Sequence, residues 1–401
     1  MAAVKEDSND YVIRVHGSPL ELDAGQWNAL LAQQAEPSPF MRHEYLAALH
    51  ESGSATAKSG WKPRFFTLSR GDELQAACPL YLKSHSYGEY VFDWAWASAY
   101  EQHGLAYYPK AVIAVPFTPV PGTRVLAVDE DARGLLIQAA VAWCEQEEVS
   151  SLHLLFGAQA DIEACAAQEL MLRHTVQFHW TNSGWADFDA FLASLAQEKR
   201  KKIRQERRKV AEAGVAFRWS RGKDISPDDW DFFYSCYERT YYEHGNAPYL
   251  SREFFTMMAR DMPENWLLFI GERADESGIR RPIACSLIAV DDSGAAKVAY
   301  GRYWGAIERV DCLHFDACYY QPLQWCIAHG FDRFEGGAQG EHKMARALMP
   351  VKTTSAHWLA QPAFADAVER FLEREGAGIE NYLGSLEQRT PFRNRADQGG
   401  L

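Results

Sequence analysis

One order of predicted secondary-structure elements occurs twice along this chain of 401 residues. Apolar alternation, helix-start signals and turn clusters predict the order β-α-α-β-β-β-α-β-α-β in the second half. There the predicted strands are 215–219, 266–272, 282–290, 297–303, 331–335 and 353–359, and the helices are 227–243, 252–262, 313–329 and a short one near 341. The first half follows the order more loosely, with strands 11–15, 64–69, 74–83, 152–156 and 175–180 and helices 26–34, 42–51, 130–148 and 161–172.

An order repeated about 200 residues apart predicts a duplicated mixed α/β fold and not two unrelated domains. A chain of this length that is 47% hydrophobic can bury a core large enough for two domains or more. We expect a first domain over residues 1–185, a basic helical connector over 186–214 and a second domain over 215–401. Ligand clefts often lie between domains, so a ligand site is expected at this connector.

The segment from Phe334 to Lys343 has the composition of a reactive loop. An apolar run ends at Glu335, and three glycines in the next five positions are expected to stop the strand there. Glu341, His342 and Lys343 then follow side by side. A rigid strand end positions side chains, and a glycine loop lets a ligand approach the backbone. These four polar side chains are therefore catalytic candidates; the alternative is a tight turn capped by solvated residues.

A strongly basic helix is predicted over residues 196–213. Its narrow apolar stripe consists of Leu192, Ala196, Ile203 and Val210. Every residue three or four positions from Arg204 is basic, namely Arg200, Lys201, Arg207 and Arg208. Like charges at this spacing destabilise a helix by about 0.2–0.5 kcal/mol per pair, and the planar arginine fork suits phosphate. We interpret this face as the site of an anionic donor. The alternative is a solvated face whose lysines pair with Glu198, Glu206 and Glu212.

Composition excludes several classes of protein. The net charge of −13 argues against general coating of nucleic acid, although one cationic groove for a phosphate-bearing ligand is compatible with it. The eight cysteines are scattered without a C-x-x-C pair, which indicates reduced thiols and neither a disulfide framework nor a zinc site. The polar N-terminus predicts no signal peptide, and no apolar run reaches the ~20 residues of a membrane span. We expect a cytoplasmic protein without metal or cofactor.

Several short motifs stand out in the second half. They are His244-Gly245 with Pro248-Tyr249-Leu250; Tyr300-Gly301-Arg302-Tyr303-Trp304-Gly305 with Leu313-His314-Phe315 and Cys318-Tyr319-Tyr320; and residues 334–343 with Ser355-Ala356-His357. Together they resemble the FemAB-like family of predicted N-acyltransferases, labelled peptidoglycan biosynthesis/recognition, over most of the chain. The basic run 199–209 is similar to a Lys/Arg-rich segment of Fem-type transferases. Gly336 and Arg346-Ala347-Leu348 depart from the family pattern, which alters loop stiffness more than chemistry.

The resemblance implies two tandem GNAT domains and an acyl transfer that forms an amide. Characterised Fem relatives take the acyl group from aminoacyl-tRNA and add it to a peptidoglycan precursor. Under this hypothesis Glu335 receives the proton of the amine, with His342 as second choice. The amides of residues 337–340 or the Lys343 ammonium would stabilise the oxyanion.

Further polar and aromatic residues are candidates for the acceptor site or cleft. They are Asp93, Trp94, Glu101, His244, Tyr249, Arg302, His314, Gln339 and His357. For Asp93, Trp94 and Glu101 the alternative is a buried aromatic cluster with capping acids. For His314 it is a satisfied histidine beside a helix start.

The donor can be examined further from the sequence. CoA-dependent GNAT enzymes bind pyrophosphate with an Arg/Gln-x-x-Gly-x-Gly/Ala turn that leads into a helix N-terminus. Residues 302–307 lack the final small residue, and Glu308 and Asp311 follow, which would repel an anion. We therefore favour aminoacyl-tRNA on the basic helix over acetyl-CoA. Two alternatives stay open: an acyl-CoA-dependent N-acyltransferase with a different CoA site, and a catalytically silent GNAT-fold protein that binds a phosphorylated ligand.

Overall fold

The computed structural model describes residues 11–338 and 340–393. The strands are β1 (Tyr11–His16), β2 (Trp61–Arg70), β3 (Glu73–Lys83), β4 (Lys110–Ile113), β5 (Leu126–Ala127), β6 (Ser151–Leu154), β7 (Met171–Thr181), β8 (Val215–Arg221), β9 (Trp266–Ala274), β10 (Arg280–Asp291), β11 (Val298–Ala306), β12 (Arg333–Ala338) and β13 (Met349–Leu359). The helices are α1 (Ala24–Ala32), α2 (His43–Glu51), α3 (Trp94–Gln102), α4 (Glu130–Gln146), α5 (Gln159–Ala167), α6 (Phe188–Ser194), α7 (Gln197–Glu212), α8 (Pro227–Glu243), α9 (Arg252–Asp261), α10 (Leu313–Phe315), α11 (Gln321–Ala328) and α12 (Pro362–Glu387).

The described chain forms two compact units that interleave in sequence. Unit 1 contains the residues up to 175 together with 249–254 and 353–380, and unit 2 contains 176–248, 255–352 and the residues from 381 onwards. Most of β13 therefore belongs to unit 1 and most of β7 to unit 2, so each half of the chain supplies the last strand of the other unit. The division at 1–185, 186–214 and 215–401 stays a prediction.

The sheet of unit 1 has the strand order β1-β2-β3-β4-β6-β13, with β5 beside β3. Neighbouring strands are antiparallel except β4 and β6, which are parallel. Ala111 pairs with Leu152 across the parallel strands, and both side chains lie in the core that α4 and α5 cover. The next residue, His153, must point to the opposite face because side chains alternate along a strand.

The sheet of unit 2 repeats this arrangement with the strand order β8-β9-β10-β11-β12-β7. Neighbours are again antiparallel except the parallel pair β11 and β12. Ala299 pairs with Phe334, and both lie in the core that α11 covers. Glu335 follows on the opposite face. The repeated order and directions confirm the duplicated mixed α/β fold that the sequence predicts.

The end of β12 corrects one expectation. The strand does not stop at Glu335 but continues through Gly336 and Gly337 to Ala338. A shift of register against β7 between Glu335 and Ala338 forms a β-bulge, which bends the strand locally. Gly337 has φ of 74°, and a Cβ at Gly336 would lie 2.3 Å from Cδ2 of Leu348. The glycines therefore permit a bulge instead of ending the strand.

Other differences concern the helices. The predicted helix 313–329 is divided, because the residues of Asp316–Tyr320 form a π-helical turn between α10 and α11. The predicted helix 161–172 ends earlier, at Ala167, and β7 begins at Met171. The elements α3, α6, α12, β4 and β5 have no counterpart among the predicted elements.

Candidate active site

Glu335 lies in unit 2 where the pairing of β11 with β12 ends. Strand register places it between Tyr300 on β11 and His179 on β7, and residues paired across strands share a face. Its Oε1 is 2.9 Å from Nε of Arg333, and its Oε2 is 3.8 Å from Nε2 of His179. Glu335 is 4% exposed and His179 is 6% exposed. Strand β12 thus holds a carboxylate in a largely water-excluded site, with the guanidinium of Arg333 beside it.

The neighbours of Glu335 on the flanking strands are uncharged near neutral pH. Burial, and then the charges of Arg333 and Lys343, lower the pKa of His179 to about 3. Burial and the negative charge of Glu335 raise the pKa of Tyr300 well above its ordinary value. The contact with His179 is therefore not an ion pair, because the buried imidazole is neutral near pH 7 and is only a weak base.

Lys343 fixes the bulge that follows Glu335. Its Nζ donates hydrogen bonds to the carbonyl oxygens of Gly336 at 2.6 Å and Gly337 at 3.2 Å. Lys343 is 6% exposed, and burial lowers the pKa of its amine to about 8. The Lys343 ammonium, which the sequence predicts as an oxyanion donor, thus donates these two hydrogen bonds to the backbone of the glycine segment. Its observed contacts stabilise the loop conformation.

His342 and His314 flank Tyr319. The Tyr319 hydroxyl is 3.4 Å from Nε2 of His342, and the ring centroids of His314 and Tyr319 are 5.8 Å apart. Burial, His342 and Arg346 lower the pKa of His314 to about 4. Burial and the charge of Arg346 also lower the pKa of His342. Two of the predicted site residues therefore lie together, and both imidazoles are neutral near pH 7.

Arg346 connects this loop to the basic helix α7. Its Nη1 donates to the carbonyl oxygen of His342 at 2.8 Å, and its Nη2 is 2.9 Å from Oε2 of Glu206. Tyr320 also donates a hydrogen bond to Glu206. Arg346 is 1% exposed, and its guanidinium lies 3.6 Å from the ring centroid of Phe315. The inward side of α7 is thus tied to the segment that carries His342.

The basic helix forms as predicted, and Ile203 and Val210 are buried on its inner stripe together with Glu206. Arg204 is exposed, and the acid nearest to it is Asp189 on α6, with Nη2 and Oδ1 3.7 Å apart. This separation exceeds hydrogen-bond distance.

The other basic candidates on α7 differ in their surroundings. Arg207 lies 3.5 Å from Asp316 and over the ring of Phe188, whereas Arg208 is exposed and 3.8 Å from Glu212. Arg200 is half-buried and Lys201 is exposed. The face as a whole keeps an excess of positive charge.

A cavity of about 370 Å³ lies beside the loop in unit 2. It is lined by Glu198, Lys199, Glu341, Met344, Ala345, Arg389 and Thr390. Glu341 is held there by Arg389 at 2.7 Å and by the Tyr382 hydroxyl at 2.9 Å. These hydrogen bonds lower the pKa of the exposed Glu341 carboxyl. Glu341 is thus an ion-paired wall of the cavity, and its lowered pKa makes it a weaker base than an ordinary glutamate.

Two acceptor candidates, Asp93 and His357, meet in unit 1 through a chain of hydrogen bonds. The Tyr107 hydroxyl donates to Oδ2 of Asp93 at 2.6 Å and lies 3.3 Å from Nε2 of His153. The Nδ1 atoms of His153 and His357 are 2.8 Å apart. Burial lowers the pKa of His153 to about 3 and that of His357 further below its ordinary value. This network is buried, and the ring of Trp96 packs against His357.

Lys110 supplies positive charge to the same network. Its ammonium pairs with Asp93 and, at 2.7 Å, with Glu89. Burial alone would raise the pKa of Asp93, but the charge of Lys110 lowers it below its ordinary value. Asp93 is therefore an ionised member of a buried network and not the capping acid of the alternative interpretation, because its side chain makes no cap hydrogen bond.

The remaining candidates have separate surroundings. Trp94 is 41% exposed against the ring of Tyr87, and Glu101 is exposed. His244 is exposed and bonds to the carbonyl oxygen of Thr240 at 2.6 Å, while Tyr249 stacks on Phe117 in unit 1. Arg302 donates to the Tyr303 hydroxyl at 3.2 Å. Gln339 lies outside the described residues.

Three residues that surround Glu335 are not among the predicted site residues, namely His179, Arg333 and Tyr300. A signal for His179 existed in the chain. β7 and β13 both begin with Met, at 171 and 349, and both carry His-Trp at the same offset, at 179–180 and 357–358. His153 pairs with His357 in unit 1 as Glu335 pairs with His179 in unit 2. An internal alignment would therefore have placed a histidine beside Glu335.

No cluster of three or more His, Cys, Asp or Glu side chains is arranged to hold a metal ion within residues 11–338 and 340–393. Among the same residues, no helix has the length and apolar character needed to cross a membrane.

The fold and the family define the class of this protein. Solved structures with the same fold include FemX, with a TM-score of 0.53 and 10% identity over 87% of this chain and 98% of FemX. L-PGS from Bacillus licheniformis has a TM-score of 0.52 and 11% identity over 87% of this chain and 97% of its own. These similarities, with the repeated strand order, confirm a tandem GNAT fold of the Fem type.

The chain belongs to the FemAB-like family, described as peptidoglycan biosynthesis/recognition, which matches residues 18–394. No curated protein sequence matches it significantly.

Proposed function

We propose that this protein is an N-acyltransferase that transfers an aminoacyl group from aminoacyl-tRNA to an amine, with the chemistry at Glu335 in unit 2. One observation carries the proposal. A buried carboxylate on β12 lies beside a neutral imidazole, directly before a glycine bulge whose carbonyl oxygens accept hydrogen bonds from Lys343. The family description points to a peptidoglycan precursor as the class of acceptor.

The reaction requires a proton acceptor for the amine. The amine nitrogen attacks the acyl carbonyl carbon, loses a proton, and the ester oxygen of the donor leaves with a proton. Glu335 accepts the proton from the amine, directly or through one water molecule, and the neutral His179 imidazole lies 3.8 Å from its carboxylate. His342 is the second-choice acceptor, since its lowered pKa keeps it unprotonated near pH 7.

Negative charge on the tetrahedral intermediate requires hydrogen-bond donors. Backbone amides of the glycine segment after Glu335 are the proposed donors, because glycine has no side chain to keep a substrate from the backbone and Gly337 has a positive φ of 74°. Lys343 contributes by fixing the carbonyl groups of Gly336 and Gly337. In this proposal Lys343 positions the oxyanion site and adds positive charge below about pH 8.

The surroundings of β11 support a donor other than acyl-CoA. The chain that follows β11 does not lead directly into a long helix but into the short α10 and a π-helical turn. The first residue of this π-helical turn is Asp316, whose buried carboxyl would repel a pyrophosphate. In unit 1 the helix after β4 begins with Asp129, Glu130 and Asp131, which is equally unfavourable for an anion. The excess of arginine on α7 is the alternative phosphate site.

The test is a filter-binding assay that compares how strongly the protein binds different acyl donors. Wild-type protein is incubated with labelled aminoacyl-tRNA, uncharged tRNA or acetyl-CoA, and we expect retention of aminoacyl-tRNA. Arg204→Glu should weaken this binding at least tenfold. Arg239→Glu makes the same charge change on the exposed face of α8 and should bind normally. Retention of acetyl-CoA alone would replace the proposal with the acyl-CoA alternative.

A second measurement tests for chemistry. With a bound donor and a panel of peptide amines, Glu335→Gln should lower the rate by about 10² or more without weakening donor binding. Donor binding with no amide product from any acceptor, in wild type as in the variant, would favour the catalytically silent alternative.

A further inference from the structure

β1 is an open edge of the sheet in unit 1. It pairs with β2 on one side, and within the described part of the chain no strand pairs with its other side. Three of its apolar side chains are exposed: Val12 at 40%, Ile13 at 45% and Val15 at 40%. An unpaired edge with apolar side chains on both faces is a template for pairing with another strand.

The corresponding edge strand of unit 2 is protected. β8 carries Arg218, which is held by Asp229 at 2.6 Å and Glu272 at 2.7 Å, and Arg221, which is held by Asp292 at 2.8 Å. Fixed charges along an edge strand oppose the addition of another strand. β1 has Arg14 as its only charged residue besides the titratable His16. The duplicated fold therefore protects one edge and leaves its counterpart open.

Acidic residues flank β1 on one face of the sheet. A cavity of about 580 Å³ beside Tyr11 is lined by Glu130, Asp131 and Glu163. Arg133 also lines this cavity, but its Nε lies 3.2 Å from the buried carboxylate of Asp161. The charge of Arg133 is thus neutralised inside unit 1, and the cavity presents a net negative charge.

Acidic residues also flank β1 on the other face. A smaller cavity of about 190 Å³ contains Glu21, Asp23 and Asp72 together with Arg14. A strand added to β1 would direct alternate side chains to these two faces. Acids outnumber basic groups on both faces, so basic side chains on the added strand would be favoured on either side.

We propose that β1 is a docking edge for an extended, cationic segment of another protein, which adds to the sheet of unit 1 as a further antiparallel or parallel strand. Its main chain would pair with β1, and lysine or arginine side chains would reach the acidic cavities. A strand the length of β1 spans about 20 Å, which fits a segment of roughly six residues.

Charge favours a cationic segment of another protein on β1 over two other occupants, a second copy of this chain and the chain's own residues 1–10. A second copy of the chain would bring its own acidic flanks against these, in a protein of net charge −13. Residues 1–10 of the chain itself carry Glu6, Asp7 and Asp10 against Lys5, so they are also a poor match.

The experiment uses the full chain and a fluorescently labelled peptide of alternating lysine and valine, measured by anisotropy. We expect binding by wild type, and at least tenfold weaker binding by Ile13→Lys. Trp219→Lys places the same charge on the exposed edge strand of unit 2 and should bind as wild type does. A peptide of alternating glutamate and valine should not bind.

A peptide-side control separates strand addition from charge attraction, and it does not depend on the folding of any variant. The lysine–valine peptide is methylated on alternate backbone nitrogens along one edge, which removes hydrogen-bond donors but keeps every charge. Affinity at least tenfold lower supports the proposal. Equal affinity of the methylated and unmethylated peptides would overturn it. So would sedimentation of the free protein as a dimer that Ile13→Lys converts to a monomer, because the occupant would then be a second copy.

Discussion

Replacement of Lys343 by methionine should change the pH dependence of stability in a defined direction. The pKa of the buried amine is about 8, against an ordinary value of 10.5. Below about pH 8 the amine is protonated in both the folded and unfolded states, and burial of the charge costs about 3 kcal/mol for this difference of roughly 2.5 units. Between pH 8 and 10.5 the unfolded state binds more protons, so the unfolding free energy rises with pH and the cost disappears.

The assay is denaturant unfolding of wild type and Lys343→Met at several values between pH 7 and 10.5. The difference in unfolding free energy isolates Lys343, because other groups titrate equally in both proteins. Wild type should gain about 3 kcal/mol over the variant across this range. Lys202→Met, an exposed lysine on α7, serves as the control and should give a flat difference. A flat difference for Lys343→Met as well would refute the assigned burial and the loop geometry built on it.

The remaining predictions concern the same unit. Glu335→Gln should remove the acidic limb of the rate–pH profile measured with an amine acceptor, whereas His342→Ala should keep that limb; unchanged profiles in both would assign the loop to the fold alone. Arg346→Met leaves Glu206 buried without its cation and should destabilise the protein by about 3–5 kcal/mol in denaturant unfolding. The double variant with Glu206→Gln should be less destabilised than Arg346→Met, and additive losses would contradict direct pairing.

The order of elements was accessible from the sequence because it depends on local signals. The apolar run of β10 and the Ser226-Pro227 start of α8 are contained in short windows of the chain. The exchange of β7 and β13 between the units was not accessible in this way. It depends on pairing with β12 and β6, which are far away in sequence, and no local pattern encodes such a partner.

The residues of the candidate site were likewise predictable where the signal is local, and not where it depends on long-range pairing. Glu335 was found because it ends an apolar run before glycines, and these signals lie next to each other. Arg333 and Tyr300 were missed because their roles depend on strand register, which brings Tyr300 opposite Glu335. Glu341 has the same local signal as His342, but its pairing with Arg389 follows from packing of the distant C-terminal segment.

The basic helix shows the limit of a charge pattern. The density of arginine correctly marked an outer face with excess positive charge, yet Glu206 on the inner stripe was interpreted only as a partner for lysines. It is buried and bound by Arg346 and Tyr320. A helix with one buried acid needs a buried cation to match it, so a lone Glu on an apolar stripe is a signal for a distant arginine.

The duplication gives a physical reason to assign the chemistry to one unit. His153 and His357 occupy in unit 1 the positions of Glu335 and His179 in unit 2, since the same strand pairings and faces recur. Both pairs are buried, but the chain differs immediately afterwards. Leu154 and Leu155 follow His153 and are themselves buried, whereas Gly336 and Gly337 follow Glu335. Bulky side chains fill the space in unit 1, whereas in unit 2 both glycines are half-buried and no atom lies within 4 Å of the position that a Cβ would take at Gly337. The repeat therefore keeps a polar pair in both sheets, and the pair that contains the carboxylate is followed by a glycine segment, which supports placing the proposed chemistry there.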